Sequence, residues 1–404
     1  MADTTAAAVA WLRTPEAVRE RCHAIFAAGE QGRLGHFALR LDRLPDLARL
    51  VAGVIRDNYP SLAIPYHSRW RHFAVGGRDR WAGLRQRLAG ASADEIARVR
   101  FDLAVTSVLL DAGAGAAWRY REPASGETFA RSEGLAVASF DLFVAGAFSS
   151  VPGEPLRADA DGLARFSPEK LVAGFQVSDG NPLVGVAGRA AILRNLGSAL
   201  KREPDLFGRP PRIGNLFDHL ARLEPLRAAD ILAAVLRGFA PIWPGRITLG
   251  GENLGDVWRH PAAGGSGASA GLVPFHKLSQ WLSYSLIEPL EDAGHPVADV
   301  GALTGLPEYR NGGLFIDGGV LLPKHAAVLA GSHAVDSEIV VEWRALTVAL
   351  LDRIAAPINQ ELGRDLSLPK ILEGGTWNAG RRLARERRAD GAPPIAVDSD
   401  GTVF

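Results

Sequence analysis

Helical periodicity is clearest in the stretch Pro45-Asp-Leu-Ala-Arg-Leu-Val-Ala-Gly-Val-Ile-Arg-Asp-Asn58. Its apolar residues recur three or four positions apart, which places them on one face of an amphipathic helix. Tyr59-Pro60 follows, and a proline pushes the residue before it out of the helical region. The pattern therefore predicts a helix that packs one face against a core and ends at Asn58.

Four further segments have the same character. Ser92-Ala-Asp-Glu95 is a capping box at the start of a helix over 91–110, because side chains at this spacing satisfy N–H groups of the first turn. Proline at the start and glycine past the end delimit a helix over 274–292. Apolar periodicity also predicts helices over 228–239 and 336–354.

Strand signals are few and short. Trp118–Arg121 and Thr128–Phe129 flank a proline- and glycine-containing turn, which predicts a small β-hairpin near 118–130. Residues 245–249 are a weaker strand candidate. The predicted fold class is mostly α with minor β, a compact multi-helix fold.

Domain boundaries are not marked by a long linker. We expect a single large, mainly helical unit over 1–404, either undivided or arranged as two lobes of about 1–150 and 151–390 with the site between them. The end of the chain is charged and then rich in proline, so residues 391–404 are expected to form a mobile tail.

The composition excludes several classes of protein. The chain has 404 residues, 47% of them hydrophobic, and 45 basic residues balance 45 acidic ones. Polynucleotide binding is disfavoured, because it depends on a basic excess. No apolar stretch reaches the roughly 18 residues that a membrane helix needs, and a signal peptide is not evident. We therefore expect a soluble cytoplasmic protein without membrane contact.

Metal and cofactor motifs are also missing from the sequence. Cys22 is the only cysteine, which excludes disulfides within the chain and zinc sites built on several cysteines. His67 and His72 are five residues apart and do not share a helical face. Dinucleotide, phosphate-loop and His-Glu-x-x-His motifs are not found. We predict no metal and no cofactor.

The most informative acid is Asp317, in Leu306-Pro-Glu-Tyr-Arg-Asn-Gly-Gly-Leu-Phe-Ile-Asp-Gly-Gly-Val-Leu-Leu-Pro323. Apolar neighbours desolvate a carboxylate and strengthen its effect on a cation. The glycine pairs on both sides would let a ligand approach the main chain. We predict that Asp317 is catalytic and that Arg310 and Asn311 bind substrate.

Two later acids share a predicted helix face. Glu338 and Glu342 lie four residues apart and point the same way, so they can orient Arg310 or another cation. The alternative is a capping acid followed by an ordinary surface acid. Whether Glu342 or Glu252 takes part in catalysis is left open by the sequence.

A basic and aromatic cluster occurs in His67-Ser-Arg-Trp-Arg-His-Phe73. Arginine offers a planar fork for phosphate or carboxylate, and tryptophan can cover a flat ligand. The alternative is a solvated loop whose Trp70 anchors in the core. The candidate binding residues are His67, Arg69, Trp70 and Arg71.

Two other segments supply candidate binding residues. The glycine-rich Gly250-Gly-Glu-Asn-Leu-Gly-Asp-Val-Trp-Arg-His260 can place polar groups around a sugar, or can be a plain surface turn. In Phe275-His-Lys-Leu-Ser-Gln-Trp-Leu-Ser-Tyr-Ser285, four polar or aromatic residues share one helix face, which suits a pocket wall or an amphipathic surface. The candidates are Glu252, Asn253, Trp258, His276, Lys277, Gln280 and Trp281.

These segments resemble the uracil-catabolism protein 4 family. The resemblance extends over nearly the whole chain and is carried by His67–Phe73, Arg131–Phe140, Gly180–Leu183, Gly250–Asn253, Phe275–Trp281 and Tyr309–Gly313. It implies a role in a non-reductive, ring-opening route of uracil breakdown. In such a route a ribosylurea needs its N-glycosidic bond cut.

A second resemblance covers a smaller part of the chain. Phe315–Pro323 and Asp336–Arg344 are similar to the late part of queuosine-salvage N-ribosylhydrolases. This implies a helical core like that of helix-hairpin-helix DNA glycosylases in the C-terminal half. It also places Asp317 at the position of their glycosidic-cleavage aspartate. Gly318 and Gly319 stand where those enzymes carry bulkier residues.

The expected function is hydrolysis of the N-glycosidic bond of a small pyrimidine-derived riboside or ribotide, for example ribosylurea. Asp317 would stabilise an oxocarbenium-like transition state and orient water. Lys277, Gln280 or His276 would polarise the leaving group, and Arg69 and Arg71 would hold a 5′-phosphate. The alternatives are an amidohydrolase acting on the ring-opened pyrimidine and a non-enzymatic pathway scaffold.

Overall fold

The computed structural model describes residues 2–243 and 246–398, and these are mostly helical. In chain order the helices are α1 (Ala2–Leu12), α2 (Pro15–Glu30), α3 (Leu44–Asn58), α4 (Arg69–Phe73), α5 (Arg80–Gln86), α6 (Ala93–Leu109), α7 (Arg131–Val144), α8 (Ala160–Ala164), α9 (Pro168–Gly174), α10 (Val186–Arg202), α11 (Pro204–Phe207), α12 (Leu216–Leu220), α13 (Ala228–Phe239), α14 (Lys277–Asp292), α15 (Tyr309–Asp317), α16 (Glu338–Leu362), α17 (Leu368–Ile371) and α18 (Trp377–Arg387). No helix in this part of the chain is both long and apolar enough to cross a bilayer.

The strands are short and pair two by two. They are β1 (Phe37–Leu39), β2 (Arg119–Arg121), β3 (Thr128–Ala130), β4 (Thr248–Leu249), β5 (Glu252–Asn253), β6 (Val257–Arg259), β7 (Leu272–Pro274), β8 (Leu321–Pro323), β9 (Ser332–Ala334) and β10 (Ala396–Asp398). β1 with β8, β2 with β3, β4 with β5 and β6 with β7 are antiparallel, whereas β9 and β10 are parallel. The predicted fold class, mostly α with minor β, and the hairpin near 118–130 are confirmed.

The predicted helices are present with small shifts of their ends. α3 and α13 end where the sequence indicated, and Ser92 caps α6 by accepting the N–H of Glu95. α14 begins at Lys277 and not at Pro274, because residues 272–274 pair with β6. α16 continues past Ile354 to Leu362, and the left-handed backbone of Gly363, which follows, ends it.

The chain divides into two compact units built from separated segments. The described residues of the first unit are 2–67, 246–280 and 300–398, and those of the second are 68–243 and 281–299. These bounds differ from those of the two expected lobes, which were about 1–150 and 151–390. In the predicted tail, Ala396–Asp398 pairs with Ser332–Ala334, and residues 399–404 lie outside the described residues. Gly245, where a strand candidate began, also lies outside them.

In the first unit, α16 packs against α2, α3 and α15, and its inner face is fully buried. α15 also packs closely on α18. The closeness requires Gly380, since a Cβ at this position would lie 2.2 Å from the carbonyl oxygen of Arg310. The position of α15 is therefore fixed on two sides.

We expect Gly380→Ala to lower the free energy of unfolding by about 1–3 kcal/mol, because the added methyl group overpacks the α15–α18 contact. Gly53→Ala on α3 is the matched control, since a Cβ there meets nothing within 4 Å. Alanine should stabilise that helix by about 0.4–1 kcal/mol. Urea denaturation of both variants measures the difference, and equal effects would contradict the close packing.

The second unit is organised around α6, α7 and α10, with buried ion pairs between its segments. Arg80 forms a bidentate pair with Glu122 at 2.7 and 2.9 Å. Arg212 bonds Asp102 at 2.7 Å, and burial raises the pKa of Asp102 to about 6 against the opposing effect of Arg212. These pairs satisfy charges that would otherwise be costly to bury.

Candidate functional site

A buried carboxyl group lies at the start of α15. Glu308 is 7% exposed and accepts the backbone N–H groups of Arg310 at 2.8 Å and Asn311 at 2.6 Å, as the N-cap of the helix. Burial raises the pKa of Glu308, while these N–H groups and the charges of Lys277 and His67 lower it. The net shift is upward, so Glu308 holds a proton more readily than an exposed glutamate does.

An oriented histidine belongs to the same unit. His67 Nδ1 lies 2.8 Å from Glu373 Oε2, and both side chains are largely buried. The hydroxyl group of Tyr59 also donates to this carboxylate, at 3.3 Å. Since the hydrogen bond fixes Nδ1 as the protonated nitrogen, proton exchange with a substrate would involve Nε2.

Glu373 is carried by a π-helical segment, Leu372–Thr376, between α17 and α18. Such segments are rare and often occur at functional sites. A Cβ at Gly375 would lie 2.6 Å from Val51, so this segment packs directly on α3. Thr376 donates to the side chain of Asn311 at 2.9 Å, which connects the segment to α15.

Asp256 positions the backbone at Lys277. Its carboxylate accepts hydrogen bonds from both terminal nitrogens of Arg344, at 2.7 and 2.8 Å. It also accepts hydrogen bonds from the indole N–H of Trp258 at 2.6 Å and from the backbone N–H of Lys277 at 3.0 Å. Burial alone would raise the pKa of Asp256, but Arg344 and the other donors outweigh it and hold that pKa well below its usual range. Asp256 is therefore a buried anion that fixes the start of α14.

Two predicted binding residues also support this turn. His276 is buried, and its Nε2 lies 2.8 Å from the carbonyl oxygen of Leu12. Burial lowers the pKa of His276, which favours a neutral ring that donates to that carbonyl. Gln280 is fully buried and exchanges hydrogen bonds with Thr304 at 2.6 and 2.8 Å. Their side chains thus hold the segment around Lys277.

Asp317 lies at the opposite end of α15 from Glu308. Its carboxylate accepts two hydrogen bonds from Arg388, at 2.9 and 2.5 Å, and its side chain is 5% exposed. A nine-residue helix is about 13 Å long, so the two acids are well separated. The catalytic role of Asp317 stays a prediction, and the ion pair with Arg388 argues for a structural role.

Three of the four glycines around Asp317 serve close packing, so the expectation that they admit a ligand is wrong at these three positions. A Cβ at Gly312 would lie 2.6 Å from the ring of Trp343, and one at Gly318 would lie 2.7 Å from the carbonyl oxygen of Leu314. A Cβ at Gly313 would lie 3.1 Å from Pro394. Only Gly319, which has a positive φ of 73°, has open space around it among these four.

Most of the basic cluster falls in the second unit. Arg69 is fully buried and bonds Asp111 at 2.6 Å and Ser107 at 2.7 Å. Trp70 is also buried and donates its indole N–H to the carbonyl oxygen of Ser285 at 2.8 Å. The expectation that Arg69 holds a phosphate therefore finds no support, because its guanidinium group satisfies buried partners within the unit. Arg71 is partly exposed and pairs with Glu288 at 2.8 Å.

The remaining candidates have varied surroundings. Glu252, on β5, is mostly exposed and pairs with Arg13 at 3.1 Å. Asn253 accepts the N–H of Gly255 at 3.0 Å. Trp281, in the second unit, packs edge-on against His72 with ring centroids 5.6 Å apart. Arg310 is 3% exposed and donates to the carbonyl oxygen of Gly391 at 2.9 Å.

We call His67, Lys277, Glu308 and Glu373 the acid–base cluster. His67 and Lys277 were predicted from the sequence, whereas both glutamates were not. Glu308 was part of the quoted segment around Asp317, but glutamate is not among the residues preferred at an N-cap, so its position gave no clear local signal. Glu373 had no local signal beyond Gly374 and Gly375 after it.

Comparison with known proteins gives consistent matches. A family model described as a protein of unknown function, DUF1688, matches residues 11–404. A Lachancea kluyveri protein named uracil catabolism protein 4 is 39% identical over 433 aligned residues, covering 98% of this chain and 99% of that protein. Protein urg3 of Schizosaccharomyces pombe is 40% identical over 407 aligned residues, with the same coverage. The matched range includes the whole acid–base cluster.

Proposed function

Since this chain belongs to the DUF1688 family, we propose that it acts in uracil catabolism, the process named for its Lachancea kluyveri relative. We further propose that it hydrolyses the N-glycosidic bond of a small pyrimidine-derived riboside or ribotide, such as ribosylurea. The observation that carries this proposal is the acid–base cluster of the first unit, in which a buried glutamic acid is influenced by a lysine and by an oriented histidine.

The proposed chemistry uses the two kinds of group in this cluster. Cleavage of an N-riboside passes through an oxocarbenium-like transition state, and the departing nitrogen compound must gain a proton. Glu308 supplies this proton, because its raised pKa keeps it protonated more readily at neutral pH. His67, held by Glu373, accepts a proton from the water that attacks the ribosyl carbon. The products are ribose and urea, or their counterparts with a 5′-phosphate.

The same acid and base could act on an amide bond of the ring-opened pyrimidine, so the two enzyme hypotheses differ in the bond that is cut. In an amidohydrolase, water attacks a carbonyl carbon and the ribosyl bond survives. A general acid and a general base are needed for the cleavage of either bond, so their presence in the first unit does not distinguish the two reactions. Product identity does, because only glycosidic cleavage releases a sugar with a free anomeric carbon.

The deciding experiment is incubation of the purified protein with ribosylurea, uridine and their 5′-phosphates. We expect ribose or ribose 5-phosphate together with urea from one of the ribosylurea substrates. The sugar is measured as reducing equivalents and urea by a coupled assay. Ammonia release with the sugar still attached would show the amidohydrolase instead. Absence of product from every substrate would contradict the proposed activity and favour the scaffold.

A further inference from the structure

The proposed base is attached to one continuous segment, residues 369–376. The backbone N–H of His67 donates to the carbonyl oxygen of Pro369 at 3.1 Å, and its Nδ1 lies 2.8 Å from Oε2 of Glu373. The side-chain amide of Asn378, just past the segment, donates to the carbonyl oxygen of Glu373 at 3.0 Å. His67 is therefore held through both its backbone and its ring, and its position follows that of this segment.

The proposed acid is held in a similar way by Asn311. The backbone N–H of Asn311 donates to Oε1 of Glu308 at 2.6 Å. Its side-chain amide donates to the carbonyl oxygen of Leu306 at 3.0 Å, and the backbone N–H of Glu308 donates to the same carbonyl at 2.9 Å. Asn311 therefore fixes both the carboxyl group of Glu308 and the backbone that precedes it.

A buried hydrogen bond joins the segment of the base to the residue that holds the acid. The hydroxyl group of Thr376, at the end of the π-helical segment, donates to Oδ1 of Asn311 at 2.9 Å, and both residues are fully buried. Because the carbonyl oxygen of Leu306 can only accept, the nitrogen of the Asn311 amide faces it and the oxygen faces Thr376. Both polar ends of this amide are thus engaged within the protein.

Thr376 uses its hydroxyl group differently from two other buried threonines. A threonine in a helix commonly donates to a carbonyl three or four residues earlier in the same helix. Thr347 on α16 and Thr106 on α6 both do so, at 2.8 Å. Thr376 donates to α15 instead, so its hydroxyl group belongs to a contact between segments and not to the local geometry of its own helix.

We propose that Thr376 and Asn311 are positioning residues that keep the acid Glu308 in register with the base His67. The connection runs from His67 through Glu373 to the π-helical segment and Thr376, and from there through Asn311 to Glu308. Such a connection matters because a displacement of about 1 Å at reacting groups can cost about 10²-fold in rate. This inference rests on the proposed hydrolysis, because it concerns the same acid–base cluster.

Thr376→Val tests the connection, because it removes the hydroxyl group and leaves a buried oxygen of Asn311 without its donor. We expect kcat for the ribosyl substrate to fall by about 10- to 100-fold with little change in KM, since the acid and the base remain but are displaced. Thr376→Ser restores the donor and should keep most of the activity. Steady-state kinetics measure both variants, with the melting temperature recorded for each.

Thr347→Val is the matched control, because it removes the hydroxyl group of an equally buried threonine in the same unit. That hydroxyl group donates within α16, so we expect an unchanged kcat even where the melting temperature falls. Equal losses of kcat in the two valine variants would show a general effect of destabilisation and overturn the proposal. Full activity of Thr376→Val would overturn it as well.

A second measurement does not depend on turnover. The backbone N–H of Asn311 lowers the pKa of Glu308, so Thr376→Val should raise that pKa as this contact loosens. NMR titration of protein with isotope-labelled glutamate side chains measures the pKa, and Glu308→Gln identifies the signal. If the unchanged protein releases no sugar from any ribosyl substrate, the proposed hydrolysis fails and this titration alone decides the positioning. No shift in Thr376→Val, or an equal shift in Thr347→Val, would then overturn it.

Discussion

Glu308→Gln is expected to reduce kcat/KM for the ribosyl substrate by about 10²–10⁴-fold, the usual contribution of a general acid. Glutamine keeps one oxygen, which can accept the N–H of Asn311, but its amide nitrogen cannot accept the N–H of Arg310, so the N-cap of α15 should be weakened and not lost. What it loses is the transferable proton. The measurement is steady-state kinetics on the substrate identified by product analysis, with the melting temperature recorded for each variant.

Two further variants make this result decisive. Glu20→Gln changes an exposed acid on α2 and should keep full activity. Asp317→Asn tests the residue that the sequence favoured: it weakens the ion pair with Arg388, so we expect a lower melting temperature and a smaller loss of activity than with Glu308→Gln. If Asp317→Asn abolishes cleavage at unchanged stability while Glu308→Gln remains active, the catalytic assignment belongs to Asp317.

The rate should also respond to pH in a way that Glu308 explains. A general acid must be protonated to act, so activity falls as pH rises through its pKa. Because burial shifts the pKa of Glu308 upward, this fall should occur at higher pH than for an ordinary glutamate. The residual activity of Glu308→Gln should no longer show this fall with rising pH.

Local sequence signals were sufficient for most of the fold. The apolar spacing in α3 and the serine cap of α6 depend on residues within one or two turns, so they could be interpreted without tertiary information. The start of α14 could not, because residues 272–274 pair with a strand that lies earlier in the chain. Strand pairing with Val257–Arg259 therefore outweighs helix propensity at residues 272–274.

The candidate site was harder to predict for the same reason. His67 and Lys277 stood out by residue type, but the importance of Glu308 depends on burial and on charges from distant segments. Asp317 is a corresponding case. Its apolar neighbours were visible in the sequence, whereas its partner Arg388 is one of several arginines near the end of α18 and had no distinguishing signal.

Asp256→Asn should lower the free energy of unfolding by about 3–5 kcal/mol, because it leaves the buried Arg344 guanidinium without its counter-charge. Arg344 is 1% exposed and also lies 4.1 Å from the ring centroid of Phe275, so it cannot readily turn to solvent. The same substitution weakens the acceptor for the N–H groups of Trp258 and Lys277. We therefore expect lost activity as well as lost stability.

The pH dependence of stability gives an independent check on this ion pair. The pKa of Asp256 is lower in the folded chain than in the unfolded chain, so its carboxylate stabilises the fold above the unfolded pKa. That stabilisation is lost as the pH falls towards the folded pKa, in the acid range below about pH 4. Relative to the unchanged protein, Asp256→Asn should therefore be much less stable at neutral pH and only slightly less stable in strong acid. Its free energy of unfolding should decrease less steeply as the pH is lowered.

Denaturant unfolding at neutral and acid pH measures both effects, with Asp42→Asn as the control. Asp42 forms an exposed pair with Arg40, and exposed pairs contribute little to stability. A large loss for Asp256→Asn at neutral pH with none for Asp42→Asn would identify burial, and not charge pairing as such, as the source of the effect. Equal stability of the two variants would mean that Asp256 does not hold the start of α14. The position of Lys277 near Glu308 would then depend on other contacts.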